Sequence, residues 1–154
     1  MNRSERRRKK KTGEKASNLS LTQGGNSHPD EHAVPNLQVI DLAVQHYRTG
    51  HSHRAENICQ QILKADPNHP EALNLLAVIS SSKNKHEIAL ELVAKAISIK
   101  PDYEEAHNNL GISLYLKGNT EKALVHFRKA LSINPHYVPA KNNLKKALMQ
   151  KKKL

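Results

Sequence analysis

Asparagine side chains at regular spacing are the residues of this chain best suited to binding chemistry. Asn74, Asn108 and Asn142 follow one another at equal intervals, and Asn109 and Asn143 are separated by the same interval. A carboxamide can donate and accept a hydrogen bond at once, so a row of asparagines can pair with the amide backbone of an extended peptide. The alternative is that these asparagines are ordinary solvated side chains on helices.

Residue types that support catalysis or metal binding occur without the partners they need. His51 and His53 could chelate an ion with His46 nearby, but no cysteine or carboxylate cluster completes a site. Cys59 lies among apolar residues, where a small buried hydrophobe is a more common role than a nucleophile. No acid–base pair and no glycine-rich phosphate loop is recognisable, so we expect no catalytic residue, no cofactor and no metal.

The asparagines belong to a sequence repeat whose step is the interval from Asn74 to Asn108. A period that is shared by several residue types indicates stacked copies of one unit. In each copy, apolar residues at helical spacing are interrupted once by a polar break and closed by a proline, which predicts two helices for each unit. The residues that keep this step are Leu42, Leu76, Leu110 and Leu144, the alanines Ala55, Ala89 and Ala123, and the prolines Pro67, Pro101 and Pro135.

The repeat divides the chain into five segments. Residues 1–35 form a basic arm and linker that we expect to be disordered, because dense like charges resist packing. Three helix–turn–helix units follow at residues 36–69, 70–103 and 104–137. Residues 138–154 form one more helix with a narrow apolar stripe and a basic tail. A stack of repeats needs an end helix with one face in water, so this segment is predicted to be the cap.

The net charge of +11 is concentrated at the two ends of the chain. Residues 1–35 carry +4 and residues 138–154 carry +6, whereas the three units carry 0, 0 and +1. The basic ends can act as solubilising tails, as electrostatic anchors for RNA, ribosomes or an anionic membrane, or as contacts for an acidic partner. Nucleic acid would bind such tails only nonspecifically and with a steep salt dependence. The three units carry almost no net charge, and aromatic residues are scarce. Both features argue against sequence-specific recognition of nucleic-acid bases.

The basic N-terminal stretch is not followed by an apolar segment. We therefore expect neither a cleavable signal nor a membrane span. With one cysteine, no disulfide can form within the chain. Together these features favour a cytoplasmic location.

The pattern of small residues and prolines resembles the tetratricopeptide repeat family. Small residues recur at the eighth and twentieth positions of each unit and proline at the thirty-second. The resemblance implies an all-α fold, a right-handed solenoid of three repeats with a C-terminal capping helix, in which the first helices line a concave groove. The residues that would then face the groove are Asn74, Asn108, Asn109, Asn142, Asn143, Tyr47 and Tyr115. For the two tyrosines, ordinary packing between helices is an equally good interpretation.

The sequence His-Asn-Asn-Leu-Gly at residues 107–111 is similar to the repeats of O-linked N-acetylglucosamine transferases, whose asparagine ladder holds the backbone of a substrate. This resemblance implies a non-enzymatic interaction scaffold that binds an extended peptide or a partner helix in the groove. One alternative is a truncated relative or N-terminal module of a glycosyltransferase or sulfotransferase that contains such repeats. A second is electrostatic binding of RNA or an anionic surface through the basic tails.

The expected partner is a protein or peptide, and the basic cap beside the groove favours one with acidic residues. Some members of the family hold a partner's terminal carboxylate with a lysine and an asparagine at the fifth and ninth positions of the first repeat. Those positions are Ile40 and Val44 here. We therefore expect no binding of chaperone tails by that mechanism.

Overall fold

The computed structural model describes the backbone of residues 36–153 and the side chains of residues 38–153. The predicted disordered arm at residues 1–35 lies outside the described residues. The described part of the chain is all α-helical, as the sequence predicted. Its helices are α1 (Asn36–Arg48), α2 (Ser52–Ala65), α3 (Pro70–Ser82), α4 (His86–Ile99), α5 (Glu104–Leu116), α6 (Thr120–Ile133) and α7 (Val138–Lys152).

The turn inside each unit repeats the same geometry. Gly50, Asn84 and Gly118 occupy the same place in successive units, and all have positive φ, at 82°, 60° and 80°. Glycine enters this left-handed region freely and asparagine does so more easily than other side chains, which explains the residue types. The next N–H in each turn returns to a carbonyl of the first helix, as from Lys85 to Ser80 over 2.9 Å. The turn therefore satisfies the end of the first helix and starts the second.

The end of each second helix is set by a proline. The residues Asp66, Lys100 and Asn134 cap α2, α4 and α6 outside the helical region of φ and ψ. Each precedes a proline, whose ring disfavours a helical conformation in the residue before it. The chain consequently turns at equivalent points in all three units.

The helices form two layers. The first helices of successive units, α1, α3, α5 and α7, each contact the next in the series. Within the described residues, the second helices, α2, α4 and α6, make no contacts with one another and contact only the first helices on either side. Because the first helices converge and the second helices diverge, the first layer is the inner, concave side of the solenoid.

The core consists of three clusters, and each fills the space around one second helix. They lie between α1, α2 and α3, between α3, α4 and α5, and between α5, α6 and α7. Small residues allow the close approach: Ala55, Ala89 and Ala123 are fully buried. Gly111 on α5 lies against the ring of Phe127 on α6, and a Cβ at residue 111 would lie 2.5 Å from Phe127 Cε1. The small residues of the repeat are therefore packing residues.

Ion pairs join successive units. Their lysines occupy equivalent places, as do Glu87 and Glu121, whereas Glu56 lies three residues later in its unit. In each, a lysine just after or at the end of a first helix pairs with a glutamate near the start of the preceding second helix. Exposed pairs of this kind contribute about 0–1 kcal/mol each, so they support the stack without dominating it. The pairs are Lys83 with Glu56 at 2.5 Å, Lys117 with Glu87 at 2.5 Å and Lys151 with Glu121 at 2.6 Å.

Among the described residues, none of the helices has the length and apolar character that a bilayer crossing requires.

Candidate functional site

The concave side carries a groove of about 520 Å³ across α1, α3 and α5. Its wall combines aliphatic, phenolic, amide and charged side chains. Tyr47 and Val78 also line a smaller adjoining depression of about 180 Å³. The residues that line the larger groove are Ile40, Asp41, Val44, Tyr47, Arg48, Glu71, Asn74, Leu75, Val78, Tyr103, Glu105, Asn109 and Tyr137.

The asparagines of the inner helices bind one another in two equivalent pairs. Asn109 Nδ2 donates to Asn74 Oδ1 over 3.0 Å, and Asn143 Nδ2 donates to Asn108 Oδ1 over 2.9 Å. Each bond links the first helix of one unit to that of the next. The accepting residues Asn74 and Asn108 are 6% and 3% exposed, whereas Asn109 and Asn143 are half-buried. The structure therefore divides the four residues into two buried acceptors and two partly accessible donors.

The hydrogen bonds between the asparagines determine which atoms of Asn109 and Asn143 are available to a ligand. Asn109 Oδ1 and Asn143 Oδ1 make no hydrogen bond with another side chain or backbone group of the described residues. Because the amide nitrogen of each is held by the neighbouring unit, the amide plane is oriented and its oxygen remains as an acceptor. Asn142, one residue earlier on α7, is exposed and outside the pairs.

Two tyrosines that the sequence analysis did not select belong to the groove. Tyr103 and Tyr137 occupy equivalent places in successive units, just before α5 and α7. Asn74 Nδ2 donates to Tyr103 Oη over 3.3 Å, so this phenol extends the asparagine network. Burial raises the pKa of Tyr137 to about 12 and also raises the pKa of Tyr103, so both remain neutral hydroxyls. Their recurrence at the step of the repeat was the sequence signal that could have identified them.

Toward the C-terminal end, the inner side carries a second depression of about 490 Å³, formed by Tyr115 and α7. Asn142, Lys145, Lys146 and Lys153 are among its lining residues. Lys146 Nζ lies 5.8 Å from the centre of the Tyr115 ring, and the Tyr115 hydroxyl donates to Gln150 Oε1. This end of the inner side is basic.

The charges of the inner side are therefore polarised along the stack. The groove across α1, α3 and α5 has three carboxylates, from Asp41, Glu71 and Glu105, and one guanidinium, from Arg48. One of these carboxylates is partly neutralised, since Lys100 Nζ lies 3.0 Å from Glu71 Oε1. The α7 end presents only cationic and neutral groups in its lining.

The structure brings most of the sequence-predicted residues to the inner side. Asn74, Asn109 and Tyr47 line the main groove, and Asn142 and Tyr115 line the depression at α7. Asn108 is buried beneath Asn143. The two predicted tyrosines also pack against the apolar clusters, so both interpretations of them describe part of their surroundings.

A histidine pair lies on the other side of α5. His107 Nε2 lies 3.0 Å from the Pro101 carbonyl oxygen, which can only accept, so this nitrogen carries a proton. In the neutral ring, His107 Nδ1 then accepts from His126 Nδ1–H over 3.3 Å, and the two rings are stacked. Burial and the neighbouring His107 lower the pKa of His126.

Cys59 lies fully buried in the first apolar cluster. Burial raises the pKa of its thiol to about 12, which disfavours the thiolate that a nucleophile requires. Among the side chains that the structure describes, no group of three or more His, Cys, Asp or Glu residues comes together in a way that could hold a metal ion.

Comparison with protein families identifies the repeat. Models described as tetratricopeptide repeat match residues 104–137, which contain α5 and α6, and residues 58–91, which begin inside α2 and end inside α4. No curated protein sequence matches the chain. The two matched segments are thus tetratricopeptide repeats, and the fold of the solved structures below agrees with this assignment.

Three solved structures illustrate the similarity. A mutant O-GlcNAc transferase from Thermobaculum terrenum is 27% identical with a TM-score of 0.71, over 73% of this chain and 22% of that chain. PilF from Pseudomonas aeruginosa is 24% identical with a TM-score of 0.70, over 77% of this chain and 54% of that chain. The first TPR of Spaghetti (RPAP3), bound to the HSP90 peptide SRMEEVD, is 19% identical with a TM-score of 0.67, over 75% of this chain and 91% of that chain.

The similarities to PilF and to Spaghetti, both below 25% identity, concern the fold alone. The chain spans about a fifth of the length of the transferase, so the similarity covers a repeat region within that larger enzyme. Solenoids of stacked repeats use an extended concave surface of this kind for binding.

Proposed function

We propose that the chain is a non-enzymatic scaffold whose concave groove holds an extended peptide of a partner protein. The observation that carries the proposal is the oriented amide oxygen of Asn109 in the wall of an aliphatic and phenolic groove. The same pairing recurs one unit later, at Asn143 on α7. A peptide backbone offers N–H donors at regular intervals whatever its sequence. Fixed acceptors on successive units therefore suit the backbone, and the groove wall then selects side chains.

The charge distribution suggests which side chains the partner carries. Lys145, Lys146 and Lys153 at the α7 end favour acidic residues, whereas Asp41 and Glu105 at the other end favour a basic or neutral segment. Charge complementarity of this kind mainly sets the orientation and the association rate. We therefore infer a bipolar peptide whose acidic end lies over α7.

This mode differs from capture of a terminal carboxylate. The Spaghetti structure contains an HSP90 peptide. In this chain, Ile40 and Val44 line the groove at the places where the family's lysine and asparagine would hold such a carboxylate. Aliphatic side chains offer no hydrogen bond to an anion, so the proposed ligand is an internal segment of a partner.

The experiment selects peptides from a random phage-displayed library on the full chain and measures the affinity of synthetic copies. Val78→Glu places a charge on the groove wall, where Val78 borders both depressions, and leaves the asparagine pairs untouched. We expect a loss of affinity of about tenfold or more, equivalent to about 1.4 kcal/mol. Methylation of single backbone nitrogens in the peptide should weaken binding wherever an N–H meets Asn109 or Asn143.

Val125→Glu is the matched control, because Val125 is 60% exposed on α6, a helix of the outer layer. It introduces the same charge on the opposite side and should leave the affinity unchanged. Both variants are first checked for native helicity and melting temperature. Selected peptides that bind the Val78→Glu and Val125→Glu variants equally well would refute binding in the groove.

A further inference from the structure

The outer side of α7 forms a second surface with features of a docking site. A depression of about 360 Å³ lies between α6 and α7, next to the inner depression at Tyr115, with which it shares Lys145 and Met149. Its apolar lining comes from Leu131, Leu144, Leu148 and Met149. The three leucines are half-buried and Met149 is 53% exposed. Among the described residues, no helix covers this surface.

The repeat itself shows what shape would cover it. Leu144 and Leu148 on α7 occupy the places that Leu110 and Leu114 have on α5. On α5, Leu114 packs in the cluster around the following helix α6, whereas Leu110 packs in the cluster around the preceding helix α4. By this equivalence Leu148 lies where a following helix would pack, and Leu144 packs back toward α6. At Leu148, the depression on α7 therefore has the position that a second helix occupies in each of the other units.

Two lysines change the chemistry of that position. Lys145 occupies the place of Gly111 and of Ala77, where a covering helix makes its closest approach. Lys141 occupies the place of His107, and both lysines line the depression. A covering helix like α6 would desolvate these ammonium groups without a partner, which is costly. A helix that carries carboxylates at its flanks would pair with them instead.

We propose that this cap surface, formed by Leu131, Leu144, Leu148 and Met149 between Lys141 and Lys145, binds an amphipathic helix with acidic flanks from a partner protein. Binding adds one helix to the stack and buries the apolar face, which is the helix-in-groove mode of recognition. The cap surface shares no residue with the main groove across α1, α3 and α5, and it shares Lys145 and Met149 with the inner depression at α7. The leucines and Lys141 line the outer depression alone.

A second copy of the chain fits this surface poorly. The apolar faces of α2, α4 and α6 are buried in their own clusters and are not available to a neighbour. Two copies that met through α7 would bring together two helices that are rich in lysine and contain no acidic residue. Like charges at an interface oppose association, so a partner of opposite charge is favoured.

The test uses the full chain and two synthetic amphipathic helices with the same leucine stripe. One carries glutamate on both flanks and the other carries lysine. Fluorescence anisotropy of labelled peptides should show binding of the glutamate-flanked helix only. The double substitution Lys141→Glu with Lys152→Glu changes two lysines that line the outer depression and not the inner one, and it should weaken that binding by about tenfold or more.

The matched control is Lys146→Glu with Lys153→Glu, which makes the same charge change on the concave side of the same end of the chain. It should change the affinity by less than about twofold, and Val78→Glu should have no effect. Equal losses with both double variants would reduce the effect to nonspecific attraction and overturn the proposal. So would equal binding of the two helices, no binding of either, or a dimer through α7 in sedimentation experiments that Met149→Glu dissolves.

Discussion

The hydrogen bond from Asn143 to Asn108 should stabilise the junction between the third unit and the cap. Asn143→Ala removes the donor and leaves Asn108 Oδ1, on a side chain that is only 3% exposed, without its partner. A buried polar group left without a hydrogen bond costs about 1–3 kcal/mol, whereas the net contribution of the intact bond is about 0.5–1.5 kcal/mol. We therefore expect Asn143→Ala to lower the free energy of unfolding by about 1–3 kcal/mol.

A double-mutant cycle separates the hydrogen bond from the other effects of each substitution. The four proteins are wild type, Asn108→Ala, Asn143→Ala and the double variant, unfolded in urea and followed by far-ultraviolet circular dichroism. The double variant has neither donor nor acceptor, so it should be less destabilised than the sum of the single variants. The coupling energy should be about 1 kcal/mol, since residues in contact typically couple by about 0.5–3 kcal/mol.

Asn142→Ala is the control, because Asn142 is the neighbouring residue on the same helix, exposed and outside the pair. Surface substitutions of this kind usually change stability by less than about 0.5 kcal/mol. A coupling energy below about 0.3 kcal/mol, or equal losses for Asn142→Ala and Asn143→Ala, would refute the hydrogen bond as a joint between repeats.

Two further predictions concern the interior of the third unit. Gly111→Ala should destabilise the fold by about 1–3 kcal/mol in urea unfolding, because the new methyl group would meet the Phe127 ring, and Phe127→Leu should relieve part of that loss; an unchanged stability for Gly111→Ala would contradict the close contact. Because the pKa of His126 is lowered in the folded state, the unfolded chain binds more protons near and below its ordinary value of about 6.5, and stability should fall as the pH drops through that value. Between about pH 7.5 and about pH 5.5, the free energy of unfolding should fall by at most about 1.4 kcal/mol, and partial exposure of the ring reduces this value. The His126→Gln variant should lose less stability over the same interval. Equal losses in the wild type and the variant would refute the role of the histidine pair.

Features that depend on local sequence were predicted well. The prolines at 67, 101 and 135 and the breaks at 50, 84 and 118 place the helix ends, because they act through the backbone of their own and adjacent residues. The buried alanines followed from the period alone, since a residue that recurs at every step of the repeat must recur in the same packing environment. The repeat period, together with the prolines and the helix breaks, was thus sufficient to predict the all-α solenoid.

The details of the site depend on how successive units are rotated against each other. The pairing of Asn109 with Asn74 joins residues at adjacent, not identical, positions of the repeat, so the period by itself did not reveal it. The histidine at 107 interrupts a column of apolar residues, and only the structure places His126 beside it. The tyrosines at 103 and 137 lie in the short links between units, where sequence gives little indication of direction.

The spacing of the oriented amides also restricts the conformation of the proposed peptide. The amide oxygens of Asn109 and Asn143 belong to adjacent inner helices, α5 and α7, which are in contact. Axes of packed helices lie about 8–10 Å apart. An extended β-strand repeats its N–H groups on one edge about every 6.8 Å, whereas a polyproline II segment rises about 3.1 Å per residue, or about 9.3 Å in three. The latter spacing fits the two acceptors better. Nitrogen methylation along a selected peptide should therefore weaken binding at two positions three residues apart, and two sensitive positions two residues apart would mean that the backbone lies as a β-strand.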